Sequence, residues 1–349
     1  MTAYLLVYLA PLLGVLSPLR AGRVLRTILW ISIGIGLIVF IGLRHEVGMD
    51  WPAYLSQFNQ QVDSDVGPLW INEPLYVLMS WWLAQRGFGL HLVNTICAGV
   101  FVFGLLVFAS RQPLRWLALA VAVPYLVIIV GLNNTRQSVA LGLLFLGLLI
   151  LEKGRIKTFA SLMILAAMFH ASALACLLFA ALKVPRGHGK HFLVMLAVAL
   201  SLGVGYLSQS YEAYARFYGV DTQLQSSGAG VRLAINILAF GVMLALRRSW
   251  EKRFGWDKLW FWMGMFSLFL LPLLPITSTA VDRMALYLMP LQMYVWGRAP
   301  LLIATPLWRT VAILGVITLY AAVLCVWLAY ATNSMAWFPY QNLLMEVPK

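Results

Sequence analysis

The sequence predicts an all-α, polytopic integral membrane protein, and three observations carry that prediction. Of its 349 residues, 62% are hydrophobic and only 11% are charged; a water-soluble fold with that balance has too little polar surface to cover itself. Apolar runs of about 17–25 residues, the length a helix needs to cross a bilayer, recur along the whole chain. The period-two alternation of a membrane barrel is missing. With no water in the bilayer interior, backbone groups must be satisfied within each helix.

Spanning or near-spanning segments are expected at 3–19, 27–43, 91–110, 116–132, 136–151, 190–208, 231–247, 258–276, 283–297 and 309–330. No soluble domain interrupts them, so residues 1–349 read as one transmembrane domain. Met1 to Ser17 carries no positive n-region, and Arg20, Arg23 and Arg26 follow it. That is the reverse of a cleaved signal peptide and suits a first helix with its N-terminus outside.

Two segments need separate treatment. The stretch 73–86 is short, aromatic and charged at both ends. It is expected as an interfacial or re-entrant helix, part of an outer-side helical loop at 44–90. The apolar run 158–182 has Lys153, Arg155 and Lys157 before it and Lys183, Arg186 and Lys190 after it. Both flanks read as cytoplasmic, so a single crossing violates the positive-inside rule. Two half-length helices at 157–169 and 171–182, with His170 at their tip, resolve the conflict within the span 157–182.

The expected total is roughly 12 crossing or half-crossing helices with both termini outside. In that topology 18 of the 25 Lys and Arg fall inside, and nine of the 12 Asp and Glu fall outside. The net charge of +13 therefore follows from topology. Nucleic acid is excluded as a partner because the basic residues form no basic domain. Cys97, Cys176 and Cys325 each sit in an apolar run, which argues against a disulfide framework or a zinc site.

The outer arginines are the exceptions to this charge pattern. Arg136 follows Asn133-Asn134-Thr135, Arg232 follows Gly228-Ala229-Gly230-Val231, and Arg283 follows Thr279-Ala280-Val281-Asp282. Each is expected to begin an inward-running helix, where free N–H groups and the dipole favour an anion such as phosphate. The ordinary alternative is interfacial snorkelling, or pairing with an acid such as Asp282.

The loop from Arg44 to Tyr54 packs Arg, His, Glu, Asp, Trp and Tyr into eleven residues. Asp50 either caps the next helix, with Pro52 in its first turn, or lines a polar site. Trp51 and Tyr54 suit sugar stacking or an aromatic belt. Arg44 suits an anion site or a helix C-terminus. His170, in an apolar run at a half-helix start, is a candidate for a neutral general base, against a histidine that only bonds a neighbouring helix. No metal constellation, phosphate-binding Gly-rich loop, serine elbow or dinucleotide fingerprint stands out, and no cofactor is expected.

These motifs together resemble the EpsG family, the Wzy-like polymerases of bacterial surface polysaccharides. The resemblance rests on Arg44 to Tyr54 with Gly48-Met49-Asp50, on Phe58 and Glu73, and on Asn134-Thr135-Arg136-Gln137. It continues through Phe169-His170-Ala171-Ser172, Asp282-Arg283 with Tyr287, and Phe338-Pro339-Tyr340. Trp51 stands where the family form Gly-x-Asp-Tyr has tyrosine. The resemblance implies a metal-independent glycosyltransferase of the bacterial inner membrane with its site facing the periplasm. It implies transfer of a glycan chain from undecaprenyl diphosphate to a sugar hydroxyl of the next lipid-linked repeat unit.

On that reading His170 and Asp50 are the candidate bases, and Arg136, Arg232, Arg283 and Arg44 the diphosphate ligands. Glu73, Trp51, Tyr54 and Gln137 are the candidate sugar ligands. The implied partners are the lipid-linked oligosaccharide, membrane lipids and, as a candidate, a chain-length regulator protein. Two other classes share the hydropathy. A lipid-linked sugar flippase or transporter would show inverted repeats and helices broken at mid-membrane. A membrane acyltransferase would need an inner entrance for its acyl donor.

Overall fold

The computed structural model describes residues 1–17, 22–62, 73–183 and 228–345. The expected span 190–208, together with Arg20, Arg186, Lys190 and Arg216, lies outside the described residues. The chain forms α1 (Thr2–Leu16), α2 (Arg23–Gly42), α3 (Trp51–Val62), α4 (Pro74–Ala84), α5 (Leu90–Ser110) and α6 (Arg115–Ala122). A π-helical stretch, Val123–Gly131, continues α6 and is followed by α7 (Thr135–Glu152) and α8 (Ile156–Ala167). A 3-10 segment, Ala171–Cys176, leads into α9 (Leu177–Ala181). Then come α10 (Ala229–Ala245), α11 (Arg247–Phe254), α12 (Lys258–Leu270), α13 (Ser278–Leu288), α14 (Pro290–Trp296) and α15 (Pro306–Tyr330).

Among the described residues, four helices are long and apolar enough to cross a membrane: α2, α5, α7 and α15. The bent pair α10–α11, turned by 78°, makes a fifth if counted as one span. The roughly twelve crossing or half-crossing helices expected of the whole chain are not reached among the described residues: one expected span lies outside them, and breaks shorten other apolar runs. The run 258–276 leaves α-geometry at Leu271-Pro272, and 283–297 breaks at Met289-Pro290. Proline cannot donate to the preceding turn, so it ends or restarts a helix there.

The core is the crossing of α5 and α7, whose most apolar windows are 61% and 72% buried; α2 and α15, at 22%, lie at the periphery. Glycine sets how closely the central helices approach. A Cβ on Gly104 would stand 2.0 Å from the Gly142 carbonyl oxygen, and one on Gly142 would stand 2.6 Å from that of Val100. Small residues allow helices in lipid to pack through dispersion, since lipid supplies no hydrophobic drive between them. A buried polar chain ties the later helices together. The Tyr320 hydroxyl donates to Gln292 at 2.5 Å, Gln292 donates to Asn236 at 2.6 Å, and Asn236 donates to the Ala285 carbonyl at 3.0 Å.

The expected hairpin is present. α8 and the 171–181 limb pack against each other, and the chain turns at His170, whose backbone is extended. Each limb is roughly 20 Å long or less, too short for a hydrocarbon core of roughly 30 Å. The second limb differs from expectation, since its first six residues are 3-10 rather than α. Lys183 ends the hairpin on Asp257 at 2.9 and 3.0 Å. The same end of the bundle holds Trp260 on Glu152 and Arg298 on Gln112 and Tyr294. The hairpin tip points to the opposite end.

At that opposite end the chain's last described segment closes the fold. Gln341–Asn342 pairs antiparallel with Arg44–His45. The Tyr340 ring stacks on Phe40 at 4.8 Å, and its hydroxyl donates to the Phe40 carbonyl. Trp337 Nε1 donates to the Ile128 carbonyl at 3.0 Å, satisfying an acceptor inside the π-helical stretch.

Candidate active site

Glu73 is the centre of the polar cluster at the hairpin-tip end. It is 5% exposed, and its two carboxylate oxygens face two different elements. One oxygen is 2.5 Å from His170 Nδ1 at the hairpin tip. The other is 2.6 Å from Arg136 Nη1 in the first turn of α7. The backbone holds Glu73 there at φ 55°, ψ 58°, a left-handed conformation costly for a residue with a side chain, just before Pro74 opens α4. The Leu75 amide donates to the Met168 carbonyl at 3.0 Å, locking α4 to the hairpin tip.

Arg136 is held from several sides. Its other terminal nitrogen donates to Gln57 of α3. Its guanidinium stands 5.2 Å from the Tyr54 ring centre and 4.6 Å from that of Tyr76. Cation–π contacts of this kind hold a desolvated guanidinium without neutralising it. Its Nε is buried with no hydrogen-bond partner among the described residues.

Asp50 lies beside this group. Its amide donates to Asn133 Oδ1 at 3.0 Å, and Asn133 Nδ2 donates back to its carboxylate at 3.0 Å. Asn133 thus holds Asp50, while Asn134 occupies the N-cap position of α7 without a side-chain cap bond. Burial pushes the Asp50 carboxyl above the usual carboxylate range, against the pull of Arg283, Arg136, Arg44 and His170 around it. Glu73 goes the other way. Burial would raise it, but His170 and then Arg136 outweigh burial and hold it down at about 2.

The remaining candidates are placed as follows. Gln137 donates to the Arg283 carbonyl at 3.1 Å, linking α7 to α13. Arg232 pairs with Asp282 and Tyr125, so it neighbours Arg283 but is engaged by an acid. Arg232 sits in the first turn of α10, as expected. Arg283 does not begin a helix: α13 starts at Ser278, so the dipole argument does not apply to it.

Arg44 is also corrected. It is 1% exposed and donates to the carbonyls of Ile41 and Val47 and to the Thr135 hydroxyl, so it anchors the loop and does not line the opening. Trp51 is 4% exposed and packs on His91 and His45, below the polar cluster. The half-helix dipole expected at His170 is weak, because a 3-10 turn follows it; the Glu73 carboxylate is the stronger influence on the ring.

Sequence reasoning missed Gln57, Tyr76 and Asn133. A signal existed for Gln57, which lies three residues after Tyr54 and so shares its helix face.

Beside the cluster, Ser172 and Tyr287 share a hydrogen bond at 3.0 Å. Beside them an apolar groove of about 140 Å³ runs between the hairpin, α12 and α13. Cys176, Phe179, Phe266, Met284 and Leu288 are among its lining.

An apolar helical bundle with a charged cluster at one end of a half-length hairpin defines an integral membrane protein. The EpsG family model matches residues 27–342, and the chain belongs to the EpsG family. Membership brings a general role in polysaccharide polymerisation, consistent with a glycosyltransferase-like polymerase. Comparison with curated proteins and with solved structures gives no match.

Proposed function

We propose that the chain polymerises a bacterial surface polysaccharide at the periplasmic face of the inner membrane. It transfers a glycan from undecaprenyl diphosphate to a sugar hydroxyl of the next lipid-linked repeat unit. The observation that carries this reading is the gathering of Arg136, Glu73, His170, Asp50 and Arg283 at one end of an apolar bundle. Lys183, Arg253 and Arg298 stand at the other end, as the positive-inside rule requires of a cytoplasmic face.

In the transfer, the bond from the anomeric carbon to the diphosphate oxygen breaks and its electron pair leaves with the diphosphate. Arg136 and Arg283 stabilise the charge that gathers there. The acceptor oxygen bonds to the anomeric carbon, and its proton passes to His170. With Nδ1–H directed at Glu73, Nε2 is the nitrogen that accepts. Asp50, Asn133 and Asn134, half-buried at the rim, suit sugar hydroxyls. The groove at Phe179, Phe266 and Met284 suits the start of the isoprenoid tail.

The test is elongation in nanodiscs, with purified protein and a synthetic undecaprenyl-diphosphate repeat unit. A ladder of longer lipid-linked glycans is expected. Movement of the unit across the bilayer with no ladder would favour the flippase reading.

A further inference from the structure

We propose that Glu73 is a positioning residue that exchanges Arg136 for the incoming diphosphate while keeping its other oxygen on His170. The proposal rests on the reading of Arg136 as a diphosphate ligand and His170 as the base.

Three observations support it. Glu73 contacts both groups through different oxygens, at 2.6 Å to Arg136 and 2.5 Å to His170. Among the described residues Arg136 is otherwise held by neutral groups, Gln57 and the rings of Tyr54 and Tyr76, so Glu73 is an anionic partner that another anion can replace. Glu73 adopts a left-handed backbone conformation and is anchored on one side by Pro74 and the Leu75–Met168 bond. A side chain this buried in a strained conformation is over-determined by its surroundings, as positioning groups are.

The exchange has a direct consequence. Without ligand, the carboxylate's charge is shared between a guanidinium and an imidazole. When a diphosphate takes Arg136, that charge acts on His170 alone. It fixes the Nδ1–H tautomer and leaves Nε2 to accept the hydroxyl proton. The base is therefore assembled by the presence of the leaving group. The titratable groups around the pair are Arg136 on α7, Asp50 before α3, Tyr54 on α3 and Tyr76 on α4, with Arg283 on α13 and Arg44 after α2 acting on Asp50.

The experiment uses full-length protein in nanodiscs, labelled with ¹⁵N-histidine and titrated with farnesyl diphosphate. His170 is assigned by loss of its signal in His170→Ala. In wild type, ligand should move the His170 Nδ1 resonance and sharpen the Nδ1–H tautomer. Glu73→Gln should bind the ligand at least as tightly, because the competing charge is gone, yet give no such response. Its turnover should fall about 100-fold, the scale of a general-base contribution, with KM little changed. Glu73→Asp should bring back part of both the response and the turnover. Ligand binding without a His170 response in wild type overturns the exchange alone. Weaker binding in Glu73→Gln, or a wild-type response in that variant, also overturns it. Failure of wild type to bind any diphosphate overturns the functional reading with it.

Discussion

Glu73 and His170, 97 residues apart in sequence, meet at 2.5 Å through a carboxylate oxygen and Nδ1. The contact depends on two features that sequence patterning treats as defects: a hairpin too short to span and a glutamate in left-handed conformation. Each presents one group at the same depth, where α7 begins with Arg136. A buried carboxylate shared by two cationic or proton-bearing partners orients both, and each partner lowers the cost of burying the other.

Arg136→Lys tests the fork. Lysine keeps the charge but cannot reach Glu73 and Gln57 together from one planar group, nor stack as a guanidinium between Tyr54 and Tyr76. Turnover is expected to fall about 100-fold, the scale of losing one preorganised donor to a developing anion. Steady-state elongation kinetics read this, with membrane yield as the control. Wild-type turnover would remove Arg136 from the site.

Acid should affect Glu73 and Asp50 in opposite senses. Glu73 is held at about 2, below its ordinary 4.5, so its stabilisation is complete above about pH 4.5 and is lost as pH falls toward 2. Asp50 is raised, so its charged form costs stability at neutral pH and its protonation relieves that cost on mild acidification. Asp50→Asn can keep the acceptor for Asn133 while removing the charge. Its melting temperature in detergent should equal or exceed that of wild type at pH 7, and the difference should shrink as pH falls. A lower melting temperature at pH 7 would mean that the charge is stabilising.

Much of the arrangement was legible because charge and hydropathy act locally. Basic residues on both sides of 158–182 were enough to place His170 at a turn. Asn134 and Thr135 marked the start of α7 within a residue. What escaped was set by tertiary contact. Arg44 looks like an ordinary cation after a helix, yet it is sealed in by carbonyls and Thr135, which no local pattern encodes. Glu73 finds its partners 63 and 97 residues away. The helix count failed because Pro272 and Pro290 sit in runs whose mean apolarity hides the break. Arg283 was misplaced because its helix starts at Ser278, five residues before the arginine, which leaves Arg283 mid-helix.

Gly104→Ala should disturb the site from a distance. Its new methyl would stand 2.0 Å from the Gly142 carbonyl oxygen, so α5 and α7 must separate. Overpacking of this kind costs about 1–3 kcal/mol, and α7 carries Arg136, so both melting temperature and turnover should fall. Gly241→Ala is the control, because a Cβ there meets nothing within 4 Å. Equal behaviour of the two variants would show that the close approach is not needed.

The proposed orientation is checked by cysteine labelling in a Cys325→Ser background. Ser56 is exposed on α3 at the site end, and Ser249 is exposed on α11 toward the other. A membrane-impermeant maleimide on intact spheroplasts should label Ser56→Cys and spare Ser249→Cys. The reverse pattern would put the charged cluster in the cytoplasm.

The choice between His170 and Asp50 as base is decided by comparing His170→Ala with Asp50→Asn at saturating substrate. His170 is 8% exposed, with Nδ1 fixed on Glu73, which leaves the correct tautomer for accepting a proton at Nε2. Asp50 has its carboxylate on Asn133 and four cationic or ionisable groups around it, an arrangement suited to holding sugar hydroxyls. His170→Ala is therefore expected to lower turnover by about 100-fold or more with little effect on KM, because a base acts in the transition state. Asp50→Asn is expected to act mainly on KM, as loss of a binding contact does. Adding imidazole should restore part of the His170→Ala turnover and none of the Asp50→Asn loss. If His170→Ala retains near-wild-type turnover while Asp50→Asn is inactive at every substrate concentration, the base is Asp50 and His170 is a structural partner of Glu73.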